Sequence, residues 1–270
     1  MPAPRLKKRF GQHHLTRPEL CRPLLRFLRP DGRPVVEVGP GGGILTKLLL
    51  QEGGKVLALE LDPEWAFALG DGVEEGGLAL AVADAMQVCW RRVPTGALVA
   101  GNLPYEIASA LIRRLLPLHG RIARLGFLVQ REVAERFVAR PGSKSYGLLS
   151  VLAAAWSDVE LLGTVARGSF RPPPKVEGAF IGFRLKPPPI PEAEMPAFVE
   201  TVELAFSQRR KTLRNALASR WGRERAEEVL AAVGVDKLTR AEQIPLETLL
   251  RIEGARRSAE RSARKWDDGE

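Results

Sequence analysis

An α/β doubly wound domain followed by a smaller all-helical one is the fold class this sequence predicts, on three observations. Five short, almost wholly apolar runs, each bounded by Gly, Pro, Asp or Asn, lie in its first half. Helix-length segments separate several of them, the pattern of a parallel sheet covered on both faces. Beyond a proline-rich stretch at 186–194 the apolar spacing is helical throughout.

Taken in order, a basic start, "MPAPRLKKRF", precedes "PELCRPLLRFLR", whose Leu20, Leu24, Leu25 and Leu28 recur at helical spacing until Pro30-Asp31-Gly32 ends the helix. The period then changes. "PVVEVG" (34–39), "KVLALELD" (55–62), "LALAVAD" (78–84), "ALVAGN" (97–102) and "RLGFLVQ" (124–130) read as strands, with helices such as "GILTKLLLQEG" and "EIASALIRRLLP" between them. "DVELLGTV" (158–165) and "EGAFIGFRL" (177–185) close a sheet of seven strands, the second after the stiff "FRPPPKV". The prolines of "KPPPIPEAE" deny helix and sheet bonding and mark a linker. The expected organisation is an arm and helix over 1–32, a sheet domain over 33–186, a linker over 187–194, a helical domain over 195–255 and, because "RRSAERSARKWDDGE" alternates in charge without an apolar face, a disordered tail over 256–270.

Composition narrows the function. Forty-one Lys and Arg against 32 Asp and Glu leave a net charge of +9 over 270 residues, which favours a polyanionic partner such as nucleic acid or an anionic membrane. The longest uncharged stretches, Val93–Tyr105 and Ser145–Ser157, have thirteen residues each, short of the roughly 18 needed to span a membrane. The basic start lacks an apolar core and a cleavage site, so no secretory signal is expected. Cys21 and Cys89 match no metal-ligand spacing and read as buried free thiols of a reducing compartment. With three His in the chain, a metal centre is not expected.

"VVEVGPGGGILT" sets a Gly-rich turn between the first strand and a helix, where a doubly wound sheet binds its ligand against backbone N–H groups. A dinucleotide would use Glu60, at the end of the second strand, for its ribose. Glu37, Glu60, Asp84 and Asn102 at successive strand ends suit S-adenosylmethionine better than a nicotinamide dinucleotide, with Asp84 and Asn102 placed to hold an adenine amine and an amino-acid end.

The motifs "FGQHHL", "VVEVGPGGG", "ALELD", "ADAM", "GNLPY", "SKSYGLLSV", "SFRPPPKV" and "SQRRKTLRNAL", in this order over nearly the whole chain, resemble the KsgA-type small-subunit ribosomal RNA adenine dimethyltransferases. These are relatives of the Erm-type enzymes that act on large-subunit RNA. The resemblance implies a Rossmann-like class I methyltransferase domain, S-adenosylmethionine as cofactor and two neighbouring adenines near the 3′ end of small-subunit ribosomal RNA as target. It also implies a cytoplasmic, monomeric enzyme that meets its RNA in an assembling small subunit. On the family's cofactor positions fall His13, Leu15, Gly39, Gly41, Glu60, Asp84 and Asn102, with Glu60 on the ribose hydroxyls and Asp84 on the adenine amine. His13-His14 stand where the family usually has Asn-Phe.

An exocyclic adenine amine is a poor nucleophile because its lone pair is delocalised into the ring. Acceptors that hold its two N–H bonds can aim the lone pair at a methyl donor. The resemblance gives that role to the Asn102 side chain and the Leu103-Pro104 backbone. Pro104 stiffens the turn, and Tyr105 and Phe170 sandwich the base, each stacked face worth about 1–3 kcal/mol. The helical domain is then expected to dock on folded RNA through Arg209, Arg210, Lys211, Arg214, Arg220 and Arg223, joined by Arg5, Lys7, Lys8 and Arg9 of the arm. Three rivals remain: an Erm-like enzyme of large-subunit RNA, a non-catalytic RNA or DNA clamp on the same fold, and a nicotinamide-dependent oxidoreductase, for which the crevice offers no candidate acid-base pair.

Overall fold

The computed structural model describes residues 4, 7, 12–72, 76–208 and 210–267. The chain divides into two compact units, one of Met1–Val138 with Trp156–Pro187 and one of Ala139–Ala155 with Pro188–Glu270.

In the first unit β1 (His14–Leu15) and α1 (Arg22–Leu28) precede the alternation β2 (Pro34–Val38), α2 (Ile44–Gln51), β3 (Lys55–Glu60), α3 (Pro63–Gly72) and β4 (Leu78–Val82). Then come β5 (Ala97–Asn102), α4 (Ala108–Leu115), β6 (Ile122–Gln130) and α5 (Arg131–Phe137). After the excursion of α6 (Leu148–Trp156), β7 (Ser157–Val165), β8 (Phe170–Arg171) and β9 (Gly178–Leu185) complete the unit. Seven strands form one sheet in the order β4-β3-β2-β5-β6-β9-β7. The first five of these run parallel, and β9 is antiparallel to both β6 and β7.

From β2 the chain moves outward through β3 to β4, then returns to lay β5 on the other side of β2. Strand order reverses between β2 and β5, which opens a crevice at their C-terminal ends. Gly39 follows β2 and Asn102 closes β5, so the topology brings together two motifs about sixty residues apart in sequence. The central strands are buried on both faces, Val35, Val36 and Val38 in β2 and Ala97–Ala100 in β5, which is why they read as unbroken apolar runs rather than alternating ones.

One pairing has no counterpart in the sequence pattern. β1 and β8 make a separate two-stranded antiparallel ribbon, with His14 opposite Arg171 and Leu15 opposite Phe170. Both strands are too short to show periodicity. The ribbon ties the segment after the basic arm to the "SFRPPPKV" loop.

The second unit holds α6 with α7 (Met195–Phe206), α8 (Leu213–Trp221), α9 (Arg223–Ala232) and α10 (Leu246–Asp267). The stretch 139–155 was expected inside the sheet domain, and its bonding explains why it clusters with the later helices. Gly142 N–H donates to the Glu242 carbonyl at 2.7 Å, the Tyr146 hydroxyl donates to the Ile244 carbonyl at 2.9 Å, and the Tyr146 ring meets Phe206 edge-on at 5.9 Å. The tail over 256–270 also departs from expectation, being helical as far as Asp267. Its alternating charges pair along the helix, Arg256 with Glu253 at 2.9 Å and with Glu260, and such pairs one turn apart support a helix that lacks a broad apolar face. Glu253 is itself buried and accepts from the Thr201 hydroxyl at 2.7 Å.

Cys21 is a buried free thiol, and burial pushes its pKa up to about 12. Cys89 is free but exposed, contrary to the expectation of burial, because it lies in the loop between β4 and β5. Among the described residues no helix is long and apolar enough to cross a membrane, and no group of His, Cys, Asp or Glu could hold a metal ion.

Candidate functional site

The crevice is a cleft of about 750 Å³, open to solvent. Each sheet strand on its floor contributes its C-terminal end: Val38, Gly39 and Gly41 after β2, Leu59 and Glu60 from β3, Ala83–Ala85 after β4, and Asn102–Tyr105 after β5. Gln12, His13 and His14 close it from the arm, and Ile107 completes the wall. Nine residues expected at the site from sequence therefore share one cavity: His13, Gly39, Gly41, Glu60, Asp84, Asn102, Leu103, Pro104 and Tyr105. The apolar walls Val38, Leu59, Leu61 and Ile107 were not anticipated, since nothing in their type separates them from core.

The glycine loop is braced rather than loose. Gly41 adopts φ +51°, and a Cβ there would come within 2.7 Å of the His14 imidazole, so only glycine lets that ring pack on the loop. His14 in turn stands edge-on to Trp65 at 4.4 Å, doing the packing work of a phenyl ring. Burial, with the nearby His13 adding to it, holds the His14 pKa below its ordinary value of 6.5. The second brace is Glu60, whose carboxylate accepts Gly41 N–H at 3.2 Å and Asp62 N–H at 3.0 Å. Each oxygen keeps a further lone pair, so Glu60 remains able to accept from a pair of hydroxyls. Burial raises its pKa against the lowering effect of those N–H groups.

Asp84 spends one oxygen on Met86 N–H at 2.8 Å, a local turn that fixes its carboxylate at the end of β4. Glu37 is the most buried of the three acids. It is 1% exposed, and its Oε2 has no hydrogen-bond partner among the described residues. It lines a small niche shared with His14, Leu15, Gly39 and Asn102. Burial pushes its pKa up to about 7, the neighbouring Thr46 hydroxyl opposing and the Glu60 charge adding. An unpartnered carboxylate oxygen beside a glycine loop is a ready counter-charge for a cation; it lies in this niche, while Glu60 and Asp84 in the cleft offer acceptors suited to ribose hydroxyls and an adenine amine.

Asn102 is oriented by the arm. Its Nδ2 donates to the His13 backbone carbonyl at 2.7 Å. A carbonyl can only accept, so the amide nitrogen must face it and Oδ1 must face the other way. The Pro104 carbonyl already accepts N–H from Ile107 and Ala108, each at 3.2 Å, at the start of α4. That leaves the Leu103 carbonyl as the backbone acceptor of the motif. Leu103 itself is pinned, its N–H donating to the Leu128 carbonyl of β6 at 3.0 Å.

Three expectations change. Phe170, expected to face Tyr105 across a base, is 5% exposed and belongs to the hydrophobic core with Leu128 and Val165. Gly178 is what admits it: a Cβ at 178 would lie 3.0 Å from the Phe170 ring. The ring beside Tyr105 is instead that of His13, with centroids 5.8 Å apart and planes at 24°. Leu15 is a core residue bordering the Glu37 niche rather than the main cleft. Lys7, expected on RNA phosphate, pairs at 2.9 Å with both Asp62 and Glu64. Burial alone would raise the Asp62 carboxyl, but the Lys7 ammonium and Glu64 N–H hold it below the usual range. In the helical unit Arg214 and Arg223 share Glu227, at 3.2 and 3.1 Å, and Arg220 faces Glu200 at 3.5 Å. Such pairs are worth little and remain available to a stronger anion; Arg210 and Lys211 are exposed. Arg5, Lys8, Arg9 and Arg209 lie outside the described residues.

Residues 3–255 match the family described as ribosomal RNA adenine dimethylase. A curated relative from Nitrosococcus oceani, called Ribosomal RNA small subunit methyltransferase A, is 40% identical over 256 residues, covering 92% of this chain and 95% of its own. Another of that name, from Syntrophotalea carbinolica, is 39% identical over 253 residues, covering 90% and 94%. Among solved structures, a dimethyladenosine transferase from Plasmodium falciparum superposes with a TM-score of 0.77 at 21% identity, over 89% of this chain and 96% of that one. The 23S rRNA methyltransferase ErmE superposes with a TM-score of 0.69 at 27% identity, over 89% and 97%.

Proposed function

The chain belongs to the ribosomal RNA adenine dimethylase family, and from that premise we propose that it transfers methyl groups from S-adenosylmethionine to the N6 amines of two adjacent adenines in a loop near the 3′ end of small-subunit ribosomal RNA. The product is N6,N6-dimethyladenosine, made during biogenesis of the small ribosomal subunit. The enzyme acts as a cytoplasmic monomer on an assembling subunit, which its helical unit grips through exposed Arg and Lys.

The observation that carries this reading is the orientation of Asn102. With Nδ2 committed to the His13 carbonyl, Oδ1 is offered to the cleft, and with the Leu103 carbonyl it accepts the two N–H bonds of the adenine amine. Both protons are then held in the plane of the acceptors and the nitrogen lone pair turns out of conjugation toward the methyl. Tyr105, next in sequence, stacks the base at the mouth of the cleft. Glu60 holds the ribose hydroxyls, Asp84 the adenine amine of the cofactor, and Glu37 its ammonium. Bound there, the cofactor supplies a methyl on a sulfonium. No strong base is needed, because an N-methylated adenine ammonium is acidic and releases its proton readily. The rate comes from positioning, for which well-oriented reactants supply about 7–11 kcal/mol. Extruding the adenine costs least where it is already unpaired, hence a loop target.

Glu37 makes cofactor affinity pH-dependent. With its carboxyl titrating near 7 in the free protein, a cation beside Oε2 favours the ionised form. Affinity therefore strengthens as pH rises from 6 to 8, by at most about tenfold per pH unit, and levels off above. Burial, with the nearby His13 adding to it, lowers the His14 pKa from its ordinary value, away from this window. Folding has the opposite sign: a carboxyl whose folded pKa is raised above the ordinary 4.5 contributes stability that is full below 4.5 and lost as pH rises through 7. Calorimetric titration of Glu37→Gln should give a pH profile flat over 6–8, and its ligand-free melting temperature should fall less than the wild type's from pH 4.5 to 7. A wild-type affinity independent of pH would remove Glu37 from the ammonium site.

The decisive assay supplies tritiated S-adenosylmethionine to small-subunit particles lacking the modification. Label should appear as N6,N6-dimethyladenosine at two neighbouring adenines after digestion. Label confined to large-subunit RNA would assign the chain the substrate of ErmE, and cofactor binding without transfer to any RNA would make it a clamp.

A further inference from the structure

His13 is the one aromatic ring standing over Tyr105 among the described residues, and its setting is built. The imidazole and phenol are nearly parallel, planes at 24°, with centroids 5.8 Å apart. The ring Nδ1 lies 2.8 Å from the Pro172 carbonyl; since that oxygen can only accept, Nδ1 carries the proton and the ring orientation is fixed. The His13 backbone carbonyl takes the Asn102 amide. The next residue, His14, is anchored in the ribbon opposite Arg171. One residue thus sets the acceptor that faces the adenine amine and a flat surface facing the stacking tyrosine.

We propose that the His13 imidazole is the second wall of the adenine slot, closing on the target base from the side opposite Tyr105, the place that Phe170 cannot take from inside the core. The proposal rests on the methyltransferase reading above and assigns a base-contacting residue to it. The separation fits a slot at rest. Stacked bases lie about 3.4 Å apart, so a base between two rings needs about 7 Å between their centroids. The gap of 5.8 Å must therefore widen by roughly 1 Å. His13 precedes the ribbon rather than lying in it, and among the described residues its ring makes one hydrogen bond, to the Pro172 carbonyl, while the Asn102 tether runs to the backbone carbonyl, so a swing of the ring by that amount leaves the tether in place. Every base has a face to stack on, so this wall contributes affinity for the extruded nucleotide, whereas the Asn102 and Leu103 acceptors contribute its identity as adenine.

The test compares His13→Ala and His13→Phe with the wild type on unmodified small-subunit particles, alongside particles carrying 2-aminopurine at the target position. Removing the ring should raise KM for the particle about tenfold with kcat within about twofold, the pattern of binding lost equally from ground and transition states. Phe should restore KM. The 2-aminopurine fluorescence should be quenched fully by wild type and the Phe variant and less by the Ala variant, which keeps only the Tyr105 face. An Ala variant with unchanged KM and intact quenching overturns the assignment. So does a lowered KM, which would make the ring an obstruction, or a loss of S-adenosylmethionine affinity by the same factor, which would give the ring to the cofactor. A wild type that transfers nothing to these particles would remove the parent reading and this one with it, whereas normal wild-type transfer with an indifferent Ala variant removes only this one.

Discussion

Asn102→Ala is expected to lower single-turnover methyl transfer by about 10²–10³-fold, the range for removing one preorganised polar group that acts on the reacting atoms, with S-adenosylmethionine affinity within about threefold of wild type. The asymmetry follows from what the side chain touches. In the proposed mechanism its oxygen is the acceptor for the amine, while the cofactor is assigned mainly to Glu60, Asp84, the glycine loop and the Glu37 niche; the Glu60 and Asp84 carboxylates hydrogen-bond backbone N–H groups rather than the Asn102 amide. Asn102→Asp makes the argument sharper. It keeps an acceptor where Oδ1 stands but presents an oxygen, not an NH₂, to the His13 carbonyl. Two acceptors facing each other repel, so the Asp variant should also be impaired and should loosen the arm. Rapid-quench measurement with saturating RNA separates the cases: an Ala variant within tenfold of wild type would discredit the acceptor role, and a fully active Asp variant would discredit the tether.

The sheet was legible because its central strands are buried on both faces and so are apolar from end to end, bounded by the Gly, Pro and Asp that terminate them. The same topology made the site legible, since polar residues at the C-terminal ends of such strands stand out against apolar runs. What could not be read was every feature decided by two distant segments at once. Phe170 before three prolines looks alike whether it faces a cleft or a core, and only the missing side chain at Gly178 decides it. The His14–Leu15 ribbon is two residues long and has no period. Lys7 in a basic run reads as a phosphate contact until β3 brings Asp62 beneath it. The helical tail depended on pairings of Arg256 that charge alternation permits and does not require.

Gly101→Ala is expected to be the most damaging small substitution in the sheet, and it turns on the same distant juxtaposition. In the parallel ladder of β2 and β5, Gly101 pairs with Val38, one residue before each strand delivers Gly39 or Asn102 to the cleft. A Cβ at 101 would lie 2.3 Å from the Val38 carbonyl oxygen and 3.2–3.3 Å from Val38 C and N. All three atoms are backbone in a strand flanked on both sides by hydrogen-bonded neighbours, so no side chain can rotate away and the strands must part. Overpacking of this kind costs about 3 kcal/mol, which for a chain of this size lowers the melting temperature by roughly 6–12 °C. Because the strands would splay where the switch point opens, S-adenosylmethionine affinity should fall with stability, unlike the Asn102 variants, in which chemistry fails and binding stays. Gly120→Ala is the control: no atom lies within 4 Å of its added methyl and its φ is ordinary, so it should melt within about 2 °C of wild type. If Gly101→Ala melts as the control does and binds cofactor normally, β2 and β5 do not approach as closely as described, and the placement of Asn102 opposite the glycine loop loses its structural basis.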